Sequence, residues 1–101
     1  MIVAVVNFDL PAPLTTDEAR ALFEASAPSY QNVPGLLRKH YLLADDGRSA
    51  GGVYLWESRE QAEALYDDAW QAKLAARYGS QPHVRYYDSQ VTVDPSSIIV
   101  G

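Results

Sequence analysis

The chain has 101 residues, 48% of them hydrophobic, with 13 acidic side chains against 8 basic ones and a net charge of −5. That apolar content excludes a disordered chain and the length fits one domain, while the acidic balance and the lack of any Lys or Arg run exclude nucleic acid and anionic membrane as partners. There is no cysteine, so disulfide, thiolate-metal and redox-thiol chemistry are excluded as well.

Ile2 to Phe8 is β-branched and apolar, and Pro11 and Pro13 stop it because proline has no N–H for a sheet ladder. The stretch reads as a buried first strand and not as a signal peptide, since it has no basic flank and turns polar early. Thr15 with Glu18 forms a capping-box signature, and Ala19, Leu22, Phe23 and Ser26 recur at helical spacing. Pro28 disfavours helix at Ala27, which puts Tyr30 in an irregular junction before the Pro34-Gly35 turn. Leu36 to Leu43 and Ala50 to Trp56 flank Asp45-Asp46-Gly47-Arg48, a hairpin signal in which Asp46 and Gly47 are the expected two-residue turn. Ser58 with Gln61 suggests a second capping box, and Ala62, Leu65, Tyr66, Ala69, Trp70, Leu74 and Tyr78 mark one face of a single helix that ends at Gly79. His83 to Val93 is expected to be one continuous strand closed by Asp94-Pro95, leaving residues 94–101 as a tail whose Ile98-Ile99-Val100 docks on a partner or frays. No apolar stretch reaches the roughly 18 residues that cross a bilayer, so a cytoplasmic protein without a membrane partner is expected.

The order β-α-β-β-α-β is the ferredoxin-like arrangement: an α+β fold with a four-stranded antiparallel sheet and both helices on one face. Such a sheet in an isolated protomer alternates apolar and polar residues. Leu36-Leu37, Tyr41-Leu42-Leu43 and Val53-Tyr54-Leu55-Trp56 break that alternation, so both faces are expected to be covered, the second by another copy of the chain. A homodimer is the predicted assembly. Counting out from the turn pairs Tyr41 with Gly52, His40 with Val53 and Lys39 with Tyr54. Lys39, Tyr41, Tyr54 and Trp56 then share one face and Arg38, His40, Val53 and Leu55 the other. Either set can face the helices.

Val33-Pro34-Gly35-Leu36 entering the second strand, and Gly51-Gly52-Val53-Tyr54-Leu55-Trp56 followed by the Ser58 to Ala62 helix start, resemble the YdhR-type monooxygenases of the dimeric α+β barrel superfamily. The resemblance runs from Ile2 to about Val93 and implies two protomers packed sheet to sheet. Its motifs are structural, so it implies the fold more strongly than the reaction. Haem-degrading relatives carry an asparagine late in the first strand, which Asn7 matches, and a histidine on the second helix, where this chain has Ala75 and Ala76. Haem ligation in that manner is therefore disfavoured.

A metal triad would need two histidines and a carboxylate, and the only histidines, His40 and His83, fall on strands at opposite edges of the expected sheet. Neither a nucleophile elbow nor a glycine-rich phosphate loop is present. What remains is aromatic: Asn7, Tyr30, Tyr41, Tyr54, Trp56, Tyr66, Trp70 and Tyr78 are the candidate substrate-binding residues, with Tyr86 and Tyr87 as further aromatics. The same side chains also suit an ordinary core or dimer interface. The expected function is cofactor-independent monooxygenation of a small aromatic or phenolic substrate with dioxygen, with His40 as candidate base because imidazole titrates near neutrality. No metal or cofactor is expected. The competing reading is a non-catalytic module that binds a small aromatic molecule or only itself.

Overall fold

The computed structural model describes residues 1–101. The elements are β1 (Ile2–Asp9), α1 (Thr16–Ser26), a 3-10 turn (Ala27–Tyr30), β2 (Leu36–Leu43), β3 (Ser49–Trp56), α2 (Arg59–Leu65), α3 (Asp68–Tyr78), β4 (His83–Asp88), β5 (Val91–Asp94) and β6 (Ser97–Val100). The first four strands to pair form an antiparallel sheet in the order β2-β3-β1-β4, and β5 pairs only with β6. This is the expected ferredoxin-like topology, with the hairpin β5–β6 added to it.

Local chemistry accounts for the element ends. Thr15 caps α1 reciprocally: its Oγ1 accepts from the Glu18 N–H at 3.2 Å and its own N–H donates to Glu18 Oε1 at 2.9 Å. Glu18 stays ionised more readily as a result, its pKa lowered first by the bond from the Thr15 backbone. Pro28 enters the 3-10 turn, which tightens the chain after α1 and carries Tyr30 at its end.

Four expectations are corrected. The helix read as continuous from Ser58 to Tyr78 is two helices, because Asp67 caps a new one: its carboxylate accepts the Trp70 N–H at 2.8 Å. The strand read as His83 to Val93 breaks at Ser89-Gln90, and the expected tail contains a strand of its own. Asp94 folds that tail back, its carboxylate accepting the N–H groups of Ser96 and Ser97, each at 2.8 Å. The hairpin turn is a four-residue loop closed by Ala44 N–H donating to the Ser49 carbonyl at 2.9 Å, and only Gly47 takes a positive φ, +71°. The register survives this change, because lengthening the loop by one residue on each side keeps the same partners: Lys39 faces Tyr54, His40 faces Val53 and Tyr41 faces Gly52. A bulge at Leu37 shifts the pairing by one at the start of β2.

The core lies on the helix side of the sheet. Ala4, Val6 and Phe8 of β1 and Ala50, Tyr54 and Trp56 of β3 meet Ala62, Tyr66, Trp70, Leu74 and Tyr78 from α2 and α3. On the other face Val3, Val5, Val53 and Leu55 are only half-buried within the protomer, and Leu42 and Tyr87 are exposed. No helix is long and apolar enough to cross a membrane.

Candidate functional site

The structure decides between the two hairpin faces. Tyr54 and Trp56 are buried under the helices, at 2% and 0% exposure, so Lys39 and Tyr41 share the helix side and His40 points to the opposite face, where it is exposed. The expectation of His40 as a base among the aromatics is therefore not matched by its position: β-strand alternation sets it on the far side of the sheet. Asn7 falls on that same far face for the same reason, exposed beside Gly51 and His83. The other seven candidate binding residues all lie on the helix side.

Six of them form a connected aromatic layer, and Tyr78 stacks beside it on Phe8, ring centres 4.4 Å apart. Tyr54 meets Tyr30 edge-on at 5.9 Å and Tyr66 at 5.3 Å; Tyr66 continues to Trp56 at 5.8 Å and Trp70 at 4.8 Å. Hydrogen bonds fix the polar ends. Trp70 Nε1 donates to the Tyr30 hydroxyl at 3.0 Å, Trp56 Nε1 to the Tyr66 hydroxyl at 3.0 Å, and the Tyr41 and Ser26 hydroxyls share a 2.7 Å bond. Trp56, Tyr66 and Trp70 serve as the wall behind, while Tyr30, Tyr41, Tyr54 and Tyr78 line a small inner cavity.

In that cavity sits Lys39, which strand register sets on the aromatic face and which is not among the candidate residues expected from the sequence. Lys39 Nζ lies 3.4 Å from the centre of the Tyr30 ring, 3.7 Å from Tyr41 and 4.7 Å from Tyr54. The one ion pair in the molecule joins Arg59 to Glu63, so Lys39 has no carboxylate partner. Gly52 makes its position possible. A Cβ there would come within 3.1 Å of Tyr54 Cε1 and 3.4 Å of Lys39 Cε, so the missing side chain leaves a trough for the lysine stem. The signal was present in the register, as a lone cation among Tyr41, Tyr54 and Trp56.

Burial, and secondarily the positive charge of Arg77, bring the Lys39 pKa down to about 7. The three ring faces favour the ammonium and oppose this shift, so amine and ammonium lie close in energy near neutrality. The tyrosines behave oppositely. Burial raises the pKa of Tyr41, Tyr54, Tyr66 and Tyr78, and they remain neutral phenols at physiological pH. Lys39 is thus the side chain in this layer that can accept a proton near neutrality, and the phenols can only donate hydrogen bonds or share them.

Two cavities meet at this residue. The inner one, also bordered by Arg77 and Tyr78, holds about 20 Å³, the space of a single water molecule. The outer one, of about 420 Å³, opens between the 3-10 turn and the start of β2, lined among others by Tyr30, Leu36, Leu37, Arg38 and Tyr41. Tyr30, Lys39 and Tyr41 belong to both walls. The outer volume is in the range of small-molecule sites. No cluster of three or more His, Asp or Glu side chains able to hold a metal ion is present.

A four-stranded antiparallel sheet in ferredoxin-like order, with an aromatic layer between it and its helices, is the architecture found in the protomers of the dimeric α+β barrel proteins. Residues 3–98 match the family model described as "Putative mono-oxygenase ydhR", and the chain belongs to that family. Among solved structures it is similar to a monooxygenase from the gene ActVA-Orf6 of Streptomyces coelicolor, in complex with nanaomycin D. The identity is 22%, over 93% of this chain and 91% of that one, with a TM-score of 0.69. SnoaB, a cofactor-independent oxygenase from Streptomyces nogalater, is 18% identical over 91% of this chain and 95% of its own, with a TM-score of 0.64. Rv0793 from Mycobacterium tuberculosis is 19% identical over 96% and 100% of the two chains, with a TM-score of 0.59. At these identities the likeness is one of fold. No curated protein sequence matches the chain.

Proposed function

We propose that this protein is a cofactor-independent monooxygenase that oxidises a small phenolic substrate with dioxygen, with Lys39 as the base. The observation that carries the reading is the Lys39 amine, held among three tyrosine rings without a carboxylate partner and opening on the outer cavity. Membership of the monooxygenase family and the likeness to SnoaB support the reaction class.

The chemistry needs few parts. A planar phenol or anthrone enters the outer cavity and Lys39, as the amine, takes its acidic proton. The resulting carbanion passes an electron to dioxygen; superoxide and the substrate radical combine, and the hydroperoxide loses water. One oxygen atom becomes the product carbonyl and the other leaves as water, so a CH₂ group is converted to C=O with no outside reductant. The neutral tyrosines supply hydrogen-bond donors. A cytoplasmic homodimer completes the reading, its sheets packed through Val3, Val5, Val53 and Leu55.

The test is oxygen uptake with dithranol in air. The wild type should consume oxygen, Lys39→Met should lose about 100-fold or more in rate, consistent with removal of a general base, and His40→Ala should stay within about twofold. The opposite pattern, with loss on changing His40 and none on changing Lys39, would overturn the assignment of the base. No uptake across a panel of phenols and anthrones that nevertheless bind would leave the protein a binding module.

A further inference from the structure

We propose that the two cavities joined at Lys39 form a subsite for an anionic oxygen carried on a planar aromatic ligand, and that Lys39 takes up a proton from solvent when such an anion arrives. This rests on the same placement of ligand in the tyrosine-lined site, but not on turnover.

The charge distribution carries the inference. The chain has 13 acidic and 8 basic residues, yet the two cavities are bordered by Arg38, Lys39 and Arg77 and by no Asp or Glu. Lys39 and Arg77 thus meet where no anion of the protein answers them, with Arg38 at the rim of the outer cavity. The titratable groups around Lys39 are Tyr30 from the 3-10 turn, Tyr41 from β2, Tyr54 from β3, and Arg77 and Tyr78 from α3, while β1 and α1 contribute only Phe8, Phe23 and Ser26. The titratable ones are all either neutral phenols or cations. A half-buried ammonium beside a second cation gains most from an anion that arrives with the ligand. The tyrosine faces and the apolar Leu36-Leu37 wall then hold the ring.

The apolar wall and the cations also set the ligand's shape. A bicyclic ring suits a cavity of about 420 Å³, and its charged oxygen has to point inward, toward the end shared by both cavities. A carboxylate and an acidic phenolate offer the same chemistry to Lys39 but differ in where the proton comes from. A carboxylate already lacks its proton, so Lys39 draws one from solvent. A neutral phenol brings its own, so transfer to Lys39 exchanges nothing with the buffer.

Titration calorimetry in phosphate and in Tris separates these cases, since the two buffers release different heat for each proton they supply. At about pH 8, 2-naphthoate should bind with uptake approaching one proton per site, falling toward zero by about pH 6, where Lys39 is already charged. 2-Naphthol should bind with almost no exchange, and 2-naphthamide about tenfold or more weaker than the carboxylate. Lys39→Arg keeps a cation but cannot gain a proton, so it should retain naphthoate binding while abolishing the uptake. Lys39→Met should lose both. Equal affinity for amide and carboxylate, or identical heats in both buffers for the wild type, would overturn the proposal. Naphthoate binding with proton uptake but no oxygen consumption by any substrate would leave it standing and remove the oxygenase reading instead.

Discussion

Lys39 is half-buried, its stem in the trough over Gly52 and its amine among three tyrosine rings. Desolvation, and secondarily Arg77, lower its pKa in the folded protein from 10.5 to about 7. Between these two values the unfolded chain holds a proton on Lys39 that the folded chain has shed, so stability rises with pH across the window and the full cost is present below about pH 7. Lys39→Met should therefore stabilise the protein at pH 6.5, on the order of 3 kcal/mol after allowing for the lost ring contacts. The difference should shrink by pH 9.5. Urea denaturation of both proteins at several pH values measures it. Gly52 offers a second prediction at this scale. In Gly52→Ala the new methyl would press on Tyr54 and Lys39, which line the trough, and on the His40 carbonyl 3.0 Å away. A loss of about 1–2 kcal/mol is expected by overpacking, with a larger fall in aromatic-ligand affinity than in stability, read by calorimetry on the same samples.

Single polar contacts at element ends decide how the site is presented. Asp67 starts α3 inside what the apolar spacing reads as one helix, and the N–H it accepts belongs to Trp70, whose indole in turn donates to Tyr30. Asp67→Ala should cost about 1 kcal/mol as a lost N-cap, and it should also loosen the Tyr30 ring over Lys39. Trp fluorescence and ligand affinity should both change, beyond what the stability loss explains. Asp94 plays the same part for β5–β6, where its carboxylate gathers four donors from Ser96 and Ser97. These bonds hold its pKa below the usual carboxylate value, led by the Ser96 N–H. In Asp94→Ala, amide exchange in residues 97–100 should accelerate while the main sheet keeps its protection.

At the scale of the whole molecule, the sheet has one face sealed by helices and one that is half-open and apolar at its centre. Val3, Val5, Val53 and Leu55 form that centre. The β5–β6 hairpin exposes further apolar side chains of its own, Val91, Val93, Ile98, Ile99 and Val100. Patches of this kind mark association surfaces. Val53→Lys, which leaves the tyrosine site untouched, should weaken self-association by about tenfold or more, seen in sedimentation velocity as a shift to the protomer mass. A wild type that sediments as a protomer at micromolar concentration would remove the dimer from the proposed function.

The β-α-β-β-α-β order, the Thr15 cap of α1 and the pairing of Lys39 with Tyr54 are all legible in the chain. Each rests on short-range chemistry: proline stops, a Thr-Glu capping box, and turn residues that set strand register. Parity along β2 and β3 follows from the same local rules, which is why Lys39, Tyr41, Tyr54 and Trp56 could be grouped in advance. Which group faces the helices could not be read, because both are apolar enough to be buried and only packing against α2 and α3 breaks the tie. The break at Asp67 and the folding back of residues 94–101 were hidden for a related reason: one side-chain carboxylate outweighs a periodicity that otherwise continues. Local spacing thus determined the fold and the register. Tertiary packing alone decided that His40 looks away from the aromatic layer and that Lys39, desolvated among three rings and beside Arg77, is the titratable amine at its centre.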